Sequence, residues 1–157
     1  MTQTSQHLSA HPFVADFSPE HKARLAGLAT QVRFAANDVI FREGDDYSVL
    51  YLLEEGMVAL ELEVPGHLLR VQTLYGGDVF DWSALLPHAG KHFQARALEP
   101  VTALAFEGGE LLASFRSDPE FGLVFMLRLM GVVSERLRAT RMQLLDMYSP
   151  VAKRAGA

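Results

Sequence analysis

Cysteine is absent from this chain of 157 residues, and no apolar run approaches the length of a membrane span, roughly 20 residues. Without cysteine the protein cannot form a disulfide framework, an iron–sulfur cluster or a reactive thiol, which is typical of a reducing compartment. The first ten residues are polar and lack the apolar segment of a signal peptide. The sequence therefore predicts a cytoplasmic protein that does not contact a membrane.

Basic residues are few: 14 Lys and Arg against 19 Asp and Glu give a net charge of −5. A nucleic-acid-binding surface usually shows a basic stripe, so no direct DNA binding is expected. Catalytic patterns are missing as well, because no serine lies in a nucleophile elbow and no glycine-rich phosphate loop carries a lysine. No His-Glu-any-any-His pattern occurs either. We therefore expect a protein that is not an enzyme and binds no metal ion.

Short apolar runs separated by turn residues fill the middle of the chain, residues 32–106. Their regular spacing predicts an antiparallel β-roll or jelly-roll barrel. Residues 58–62 and 70–73 are expected to pair through a turn at Pro65 and Gly66, because these residue types favour tight turns.

Helix signals lie on both sides of this β-type sequence. Ser18 and Pro19 supply an N-cap and a first-turn proline for a short N-terminal helix. A second start at Asp118 and Pro119 opens a long helix, so the fold class is α+β. The predicted boundaries are a flexible N-terminus over residues 1–10, one domain over residues 11–148 with its long helix at about 119–148, and a tail over residues 149–157.

Apolar side chains recur along the long helix at alternating steps of four and three residues. A period of 3.5 residues is typical of a seam that packs against a partner helix. The sequence therefore predicts a homodimer. The predicted interface consists of Met126, Met130, Val133, Leu137, Thr140, Leu144 and Met147.

A compact cassette follows the barrel strands. Gly76 and Gly77 turn the chain into a short apolar strand, and an Asp-Trp-Ser sequence then starts a helical turn that Pro87 stops. A second strand is expected over residues 91–97. This arrangement is typical of a cradle for an anion or another ligand. The candidate ligand-binding residues in it are Asp81, Trp82, Ser83, Ala84, Lys91 and His92.

Four ordered motifs lie at residues 39–45, 51–58, 76–86 and 96–101. Together they resemble the cyclic nucleotide-binding domain of the Crp/Fnr type, the sensor half of the catabolite activator and its relatives. The resemblance implies a β-roll, a long helix that commonly dimerises, and then a winged helix-turn-helix that reads DNA. Because the chain ends about where that DNA-reading domain begins, we expect a stand-alone sensor domain.

The cassette departs from the pattern that the resemblance implies. Asp81, Trp82 and Lys91 occupy the positions of a phosphate-approaching glycine, a ribose-binding glutamate and a phosphate-binding arginine. Asp81 is expected to occupy the free N–H groups of the helical turn, and Lys91 lacks the planar fork of arginine. Thr140 matches a threonine that the resembling activators use to reach the adenine base. Cyclic AMP is therefore expected to bind weakly or not at all, and no cofactor is expected.

Three interpretations of function remain open. In the first, an unknown small ligand or protein partner acts at the cassette and shifts the long helix of a sensor domain. In the second, the chain is a ligand-free interaction or scaffold module whose cassette is packed shut. In the third, it is a haem-based gas sensor, with His88 and His92 as candidate ligands. Asp81 and Lys91 form either a remodelled anion site or an internal ion pair that fills the pocket.

Overall fold

Within residues 2–155, whose backbone the computed structural model describes, eight strands form two antiparallel sheets; side chains are described for residues 2–148. The strands are β1 (Thr30–Phe34), β2 (Val39–Phe41), β3 (Val49–Glu55), β4 (Met57–Val64), β5 (His67–Tyr75), β6 (Val79–Phe80), β7 (Gln94–Ala97) and β8 (Val101–Glu107). One sheet has the order β1-β8-β3-β6 and the other the order β2-β7-β4-β5. Both belong to a compact unit, Met1–Gly122.

A hydrophobic core joins the two sheets. Side chains alternate between the faces of each strand, so apolar side chains from one face of each sheet collect in a buried cluster. On the other face of β3 and β8, further side chains are buried outside this cluster: Leu50, Leu52, Leu104 and Phe106. Phe80 of β6 stacks on Tyr51 of β3 in this cluster, with ring centroids 4.9 Å apart. The predicted α+β fold with an antiparallel β-roll, a short N-terminal helix and a long C-terminal helix is confirmed.

The β4–β5 hairpin is closed by the predicted Pro65–Gly66 turn. Val64 pairs with His67, and Gly66 adopts φ of 87°, a conformation that glycine reaches without a steric penalty. Farther along the hairpin Ala59 pairs with Thr73, as predicted. The turn signal thus sets the register near the turn, and an irregularity between Leu60 and Glu61 shifts the pairing by one residue along the rest of the hairpin.

The predicted flexible N-terminus is instead a helix, α1 (Gln3–Ala10). Thr2 caps its first turn with the side-chain oxygen, and Leu8 is fully buried. His11, also buried, donates from Nε2 to a backbone carbonyl of β3 at 3.0 Å. The segment is ordered because these contacts anchor an otherwise polar sequence. After a 3-10 turn, Pro12–Val14, the helix α2 (Pro19–Ala26) begins at the predicted Ser18 cap.

Two helices follow the last strand, α3 (Gly108–Ser117) and α4 (Pro119–Ala155). The predicted start of α4 is confirmed, but the predicted end near Tyr148 is wrong, because the helix continues through Pro150. Proline usually ends or kinks a helix, because it lacks the N–H donor and its ring crowds the preceding turn, and the sequence therefore predicted an earlier end. Residues 156 and 157 of the predicted tail lie outside the described residues. None of the described helices is both long and apolar enough to cross a membrane.

Candidate functional site

The cassette begins at a turn where the chain runs against β3. A Cβ on Gly76 would lie 2.5 Å from the carbonyl oxygen of Glu54, so only glycine fits this position. Gly77 has φ of 98° and donates its N–H to the Leu53 carbonyl at 2.8 Å. The Leu53 N–H in turn donates to the Asp78 carbonyl at 2.9 Å. These contacts hold β6 beside β3 and fix where the next residue, Asp81, emerges from the sheet.

Asp81 has a left-handed backbone conformation, with φ of 64° and ψ of 41°. Asp and Asn tolerate this conformation better than most residues with a Cβ. Asp81 precedes a 3-10 turn, Trp82–Leu85, but its side chain makes no capping hydrogen bond. The prediction that its carboxylate occupies the free N–H groups of this turn is therefore wrong. The left-handed backbone directs the carboxylate to Lys91 instead.

Asp81 and Lys91 form a buried ion pair. Lys91 Nζ donates to Asp81 Oδ2, and only 2% of each side chain is exposed. The Ser83 hydroxyl donates to the other carboxylate oxygen at 2.8 Å. Burial raises the pKa of Asp81 above its ordinary value, and the hydrogen bonds from Lys91 and Ser83 offset part of this rise. Each charge therefore depends on the other at this depth.

Two aromatic rings complete the surroundings of the Lys91 ammonium. Its Nζ lies 4.9 Å from the ring centroid of Phe41 and 5.2 Å from that of Tyr47, both within the range of a cation–π interaction. The Tyr47 hydroxyl donates to the Ile40 carbonyl at 2.5 Å. Burial, together with the negative charges of Asp45 and Asp81, raises the pKa of Tyr47, so this hydroxyl stays protonated. We name the set Asp81, Ser83, Phe41 and Tyr47 the ammonium cage.

A small cavity lies next to the cage. Its volume is about 50 Å³, enough for ordered water but small for an organic ligand. Its lining is mainly polar and includes Asp45, Asp46, Tyr47, Ser83 and Lys91. Asp45 and Asp46 therefore share the lining of this space with Lys91, the basic partner of the ion pair.

The other predicted cassette residues differ in burial. Trp82 is half-buried and Ala84 is buried in the 3-10 turn, whereas His92 is exposed. The next residue, Phe93, is 37% exposed. Thr140 lies on α4 in the second compact unit, Leu123–Ala157, where it is exposed and its hydroxyl donates to the Arg136 carbonyl at 3.0 Å.

The histidines of the loop before β7 do not lie in a cluster of three potential metal ligands among the described residues. Within residues 2–148, no three His, Asp or Glu side chains lie close enough together to hold a metal ion. His88 has a left-handed backbone, φ of 59°, and lines the small cavity together with the loop residues around it.

Sequence reasoning missed the aromatic part of the cage. Phe41 ends the short strand β2, and Tyr47 follows Asp45 and Asp46 in a polar turn. An aromatic residue directly after two acidic residues is an unusual combination, and it was the sequence signal that could have indicated a role for Tyr47. The contact with Lys91 depends on pairing between β2 and β7, where Phe41 lies opposite Ala95, and this pairing has no local sequence signature.

A β-roll with a strand–turn–strand cassette, followed by a long helix, defines a class of ligand-sensing regulatory domains. Residues 31–118, more than half of the chain, match the profile of the cyclic nucleotide-binding domain. The chain belongs to this family. No curated protein matches the chain.

Solved structures agree with this assignment. A candidate cyclic nucleotide-binding protein of Geobacter metallireducens GS-15 is 26% identical with a TM-score of 0.76, and the match covers 87% of this chain and 99% of that one. The N-terminal domain of a transcriptional regulator from Streptomyces coelicolor A3(2) is 26% identical with a TM-score of 0.69, covering 88% and 94%. The catabolite activator protein of Thermus thermophilus is 25% identical with a TM-score of 0.70, covering 88% and 63%. The predicted Crp/Fnr-type resemblance is confirmed.

Proposed function

We propose that the chain is a non-enzymatic regulatory domain whose cassette is closed to cyclic nucleotides by its own Asp81–Lys91 ion pair. The observation that carries the proposal is the burial of both charged groups, each with 2% of its side chain exposed. A phosphate would have to replace the Asp81 carboxylate as the partner of Lys91. That exchange leaves a buried carboxylate without its counterion.

The size of the remaining space supports the same conclusion. Small-molecule sites commonly enclose about 300–1,000 Å³, whereas the cavity beside Lys91 measures about 50 Å³. The chemistry of the replaced residues also weakens binding, because lysine offers a point charge where arginine offers a two-bond fork. Trp82 cannot accept a hydrogen bond from a ribose hydroxyl, because its indole nitrogen only donates. The proposed closed cassette thus lacks room, a free cation and an acceptor.

Calorimetric titration tests this proposal directly. We expect no saturable heat when cyclic AMP, cyclic GMP or cyclic di-GMP is titrated into the native protein. Trp82, the only tryptophan of the chain, lies within the cassette, so its fluorescence should also stay constant during the titration. Micromolar binding of any of the three nucleotides, with a change in Trp82 emission, would contradict the closed cassette.

A homodimeric interaction module is the second candidate function, and the surface of α4 favours it. In the unit Leu123–Ala157 the predicted seam exposes large apolar side chains, including Met130 at 66% and Leu137 at 51%. Contiguous apolar exposure of this kind is typical of an interface. The proposed dimer pairs two copies of α4 along the 3.5-residue seam, and a shift of this helix would carry a signal from a ligand or protein partner.

Leu137→Glu tests the dimer. A charge in the seam would be desolvated and unpaired in the helix pair, so we expect at least a tenfold weaker self-association in sedimentation at micromolar concentration. Ala139→Glu is the matched control: it adds the same charge at an exposed position that helix geometry places about 200° around the axis. A monomeric native protein, or equal association of both variants, would contradict the seam.

A further inference from the structure

The charge around the cassette cavity has the sign that suits a cation. Asp45 and Asp46 line the cavity, and Asp81 lies behind Lys91 as its partner. The region therefore carries three carboxylates and one ammonium group, and one of the carboxylates, Asp81, pairs with that ammonium. An anion that approached this space would meet an unfavourable local field, whereas a cation would be attracted.

The ammonium cage has the parts that recognise a primary amine. The buried Asp81 carboxylate accepts from Lys91 Nζ, and the Ser83 hydroxyl at 2.8 Å holds the carboxylate in place. The faces of Phe41 and Tyr47 lie 4.9 and 5.2 Å from the same nitrogen. A carboxylate combined with aromatic faces binds organic ammonium groups, because charge and ring quadrupole act together.

The Lys91 backbone is held apart from its ammonium group. Its carbonyl accepts from the Gly44 N–H at 3.1 Å, and the side chain reaches the cage through a four-carbon stem. Truncating the stem would therefore vacate the cage while this backbone contact is kept. The adjoining cavity of about 50 Å³ is lined by Tyr47, Ser83 and Lys91, so it borders the same place.

We propose that the cassette is a binding site for a small primary alkylammonium group, occupied in the native chain by its own Lys91. The side chain acts as a tethered ligand that keeps external amines out. This inference rests on the proposed closed cassette, because it identifies the chemical class that the remodelled site takes in place of a phosphate.

Chemical rescue of Lys91→Ala tests the site. The truncation removes three methylene groups and the ammonium, which propylammonium restores as a separate molecule. We expect the melting temperature of the variant to fall by roughly 10 °C. Millimolar propylammonium should recover at least half of that loss in a saturable way, whereas propanol, sodium chloride and inorganic phosphate should not.

The double variant Asp81→Asn/Lys91→Ala is the matched control. It keeps the emptied space but lacks the carboxylate charge, so propylammonium should give it no saturable recovery. Equal recovery with propanol, equal recovery of the double variant, or no recovery of Lys91→Ala would overturn the ammonium site. If Lys91→Ala does not fold, refolding yield becomes the readout: propylammonium should raise it above propanol, and equal yields would overturn the proposal.

The two proposals fail in different experiments. Nucleotide binding to the native protein would contradict the closed cassette whatever propylammonium does. Stabilisation of Lys91→Ala by phosphate or cyclic AMP, without an effect of propylammonium, would show an anion site and overturn the ammonium proposal alone.

Discussion

Lys91→Met is expected to lower the free energy of unfolding by about 3–5 kcal/mol at pH 7. Methionine conserves most of the volume of the lysine side chain, so packing against Phe41 and Tyr47 is largely kept. The substitution removes the counterion of the Asp81 carboxylate, and only 2% of the Asp81 side chain is exposed. Urea unfolding monitored by the fluorescence of Trp82, which lies next to Asp81 in the sequence, measures this change in the free energy of unfolding.

Lys22→Met is the control for the same substitution elsewhere. The Lys22 ammonium lies 3.5 Å from the Ala15 carbonyl in an exposed contact and has no buried partner charge in the structure described. Its replacement should change stability by no more than about 0.5 kcal/mol. If the two variants were destabilised equally, the Asp81–Lys91 pair would not be the source of the effect.

The cost of Lys91→Met should shrink as the pH falls. Burial already raises the pKa of Asp81, and removing Lys91 removes its largest counteracting influence. A carboxyl group whose pKa is higher in the folded than in the unfolded state binds more protons when the protein is folded. Its destabilising effect is therefore absent below the unfolded pKa, about 3.9, and grows as the pH rises from that value to the folded pKa. Stability differences between native and variant protein should therefore be largest at pH 7 and decrease toward pH 4. A constant difference would contradict a buried, ionised Asp81.

Removing both charges should reverse most of the loss. Asp81→Asn/Lys91→Met leaves no buried ion, and asparagine tolerates the left-handed backbone of position 81. Buried ion pairs replaced by packed neutral groups are often neutral or stabilising. The double variant should therefore be at least about 2 kcal/mol more stable than Lys91→Met alone, and additive losses would show that the two residues do not interact.

Much of the fold could be predicted because its signals are local. Pro65 and Gly66 mark the hairpin turn, and the caps at Ser18 and Asp118 mark two helix starts. The helix α1 was not predicted because its sequence is polar and lacks the periodic apolar residues that indicate a helix. Within α1, the side chain of Leu8 is buried and helps to anchor the segment. Its stability comes from tertiary contacts, which a local pattern does not contain.

The site could be predicted only in part for the same reason. Residue types near Asp81 indicated either an anion site or an internal ion pair, and the choice depended on the backbone of Asp81 itself. A left-handed residue with a Cβ is uncommon, so helix-dipole reasoning placed its carboxylate on the wrong side. Phe41 and Tyr47 lie more than forty residues before Lys91 in the sequence, and the tertiary fold brings them to its ammonium.

Gly108→Ala is expected to lower the free energy of unfolding by about 3 kcal/mol. A Cβ at this position would lie 2.2 Å from the carbonyl oxygen of Ala84 and 3.3 Å from that of Ser48. Both neighbours are backbone, and the Gly108 N–H donates to the Ser48 carbonyl at 2.8 Å, so the junction between β8 and α3 cannot move away freely. The 3-10 turn of the cassette must shift instead.

Gly109→Ala separates this clash from the general effect of a helical methyl group. Its Cβ would lie 3.1 Å from Glu107 Oε2, a side-chain oxygen that accepts from the Glu110 N–H and caps α3. A weakened cap and the better helix propensity of alanine act in opposite directions, so we expect a net change of less than about 1 kcal/mol. Trp82 lies in the turn that Gly108 touches through Ala84, so its emission should change in folded Gly108→Ala and stay native in Gly109→Ala. Equal stability and emission of the two variants would contradict the close packing of Gly108 on the cassette. A shifted emission in Gly108→Ala alone would mean that the end of β8 positions the turn that carries Asp81, so that the closed cassette depends on backbone packing as well as on its ion pair.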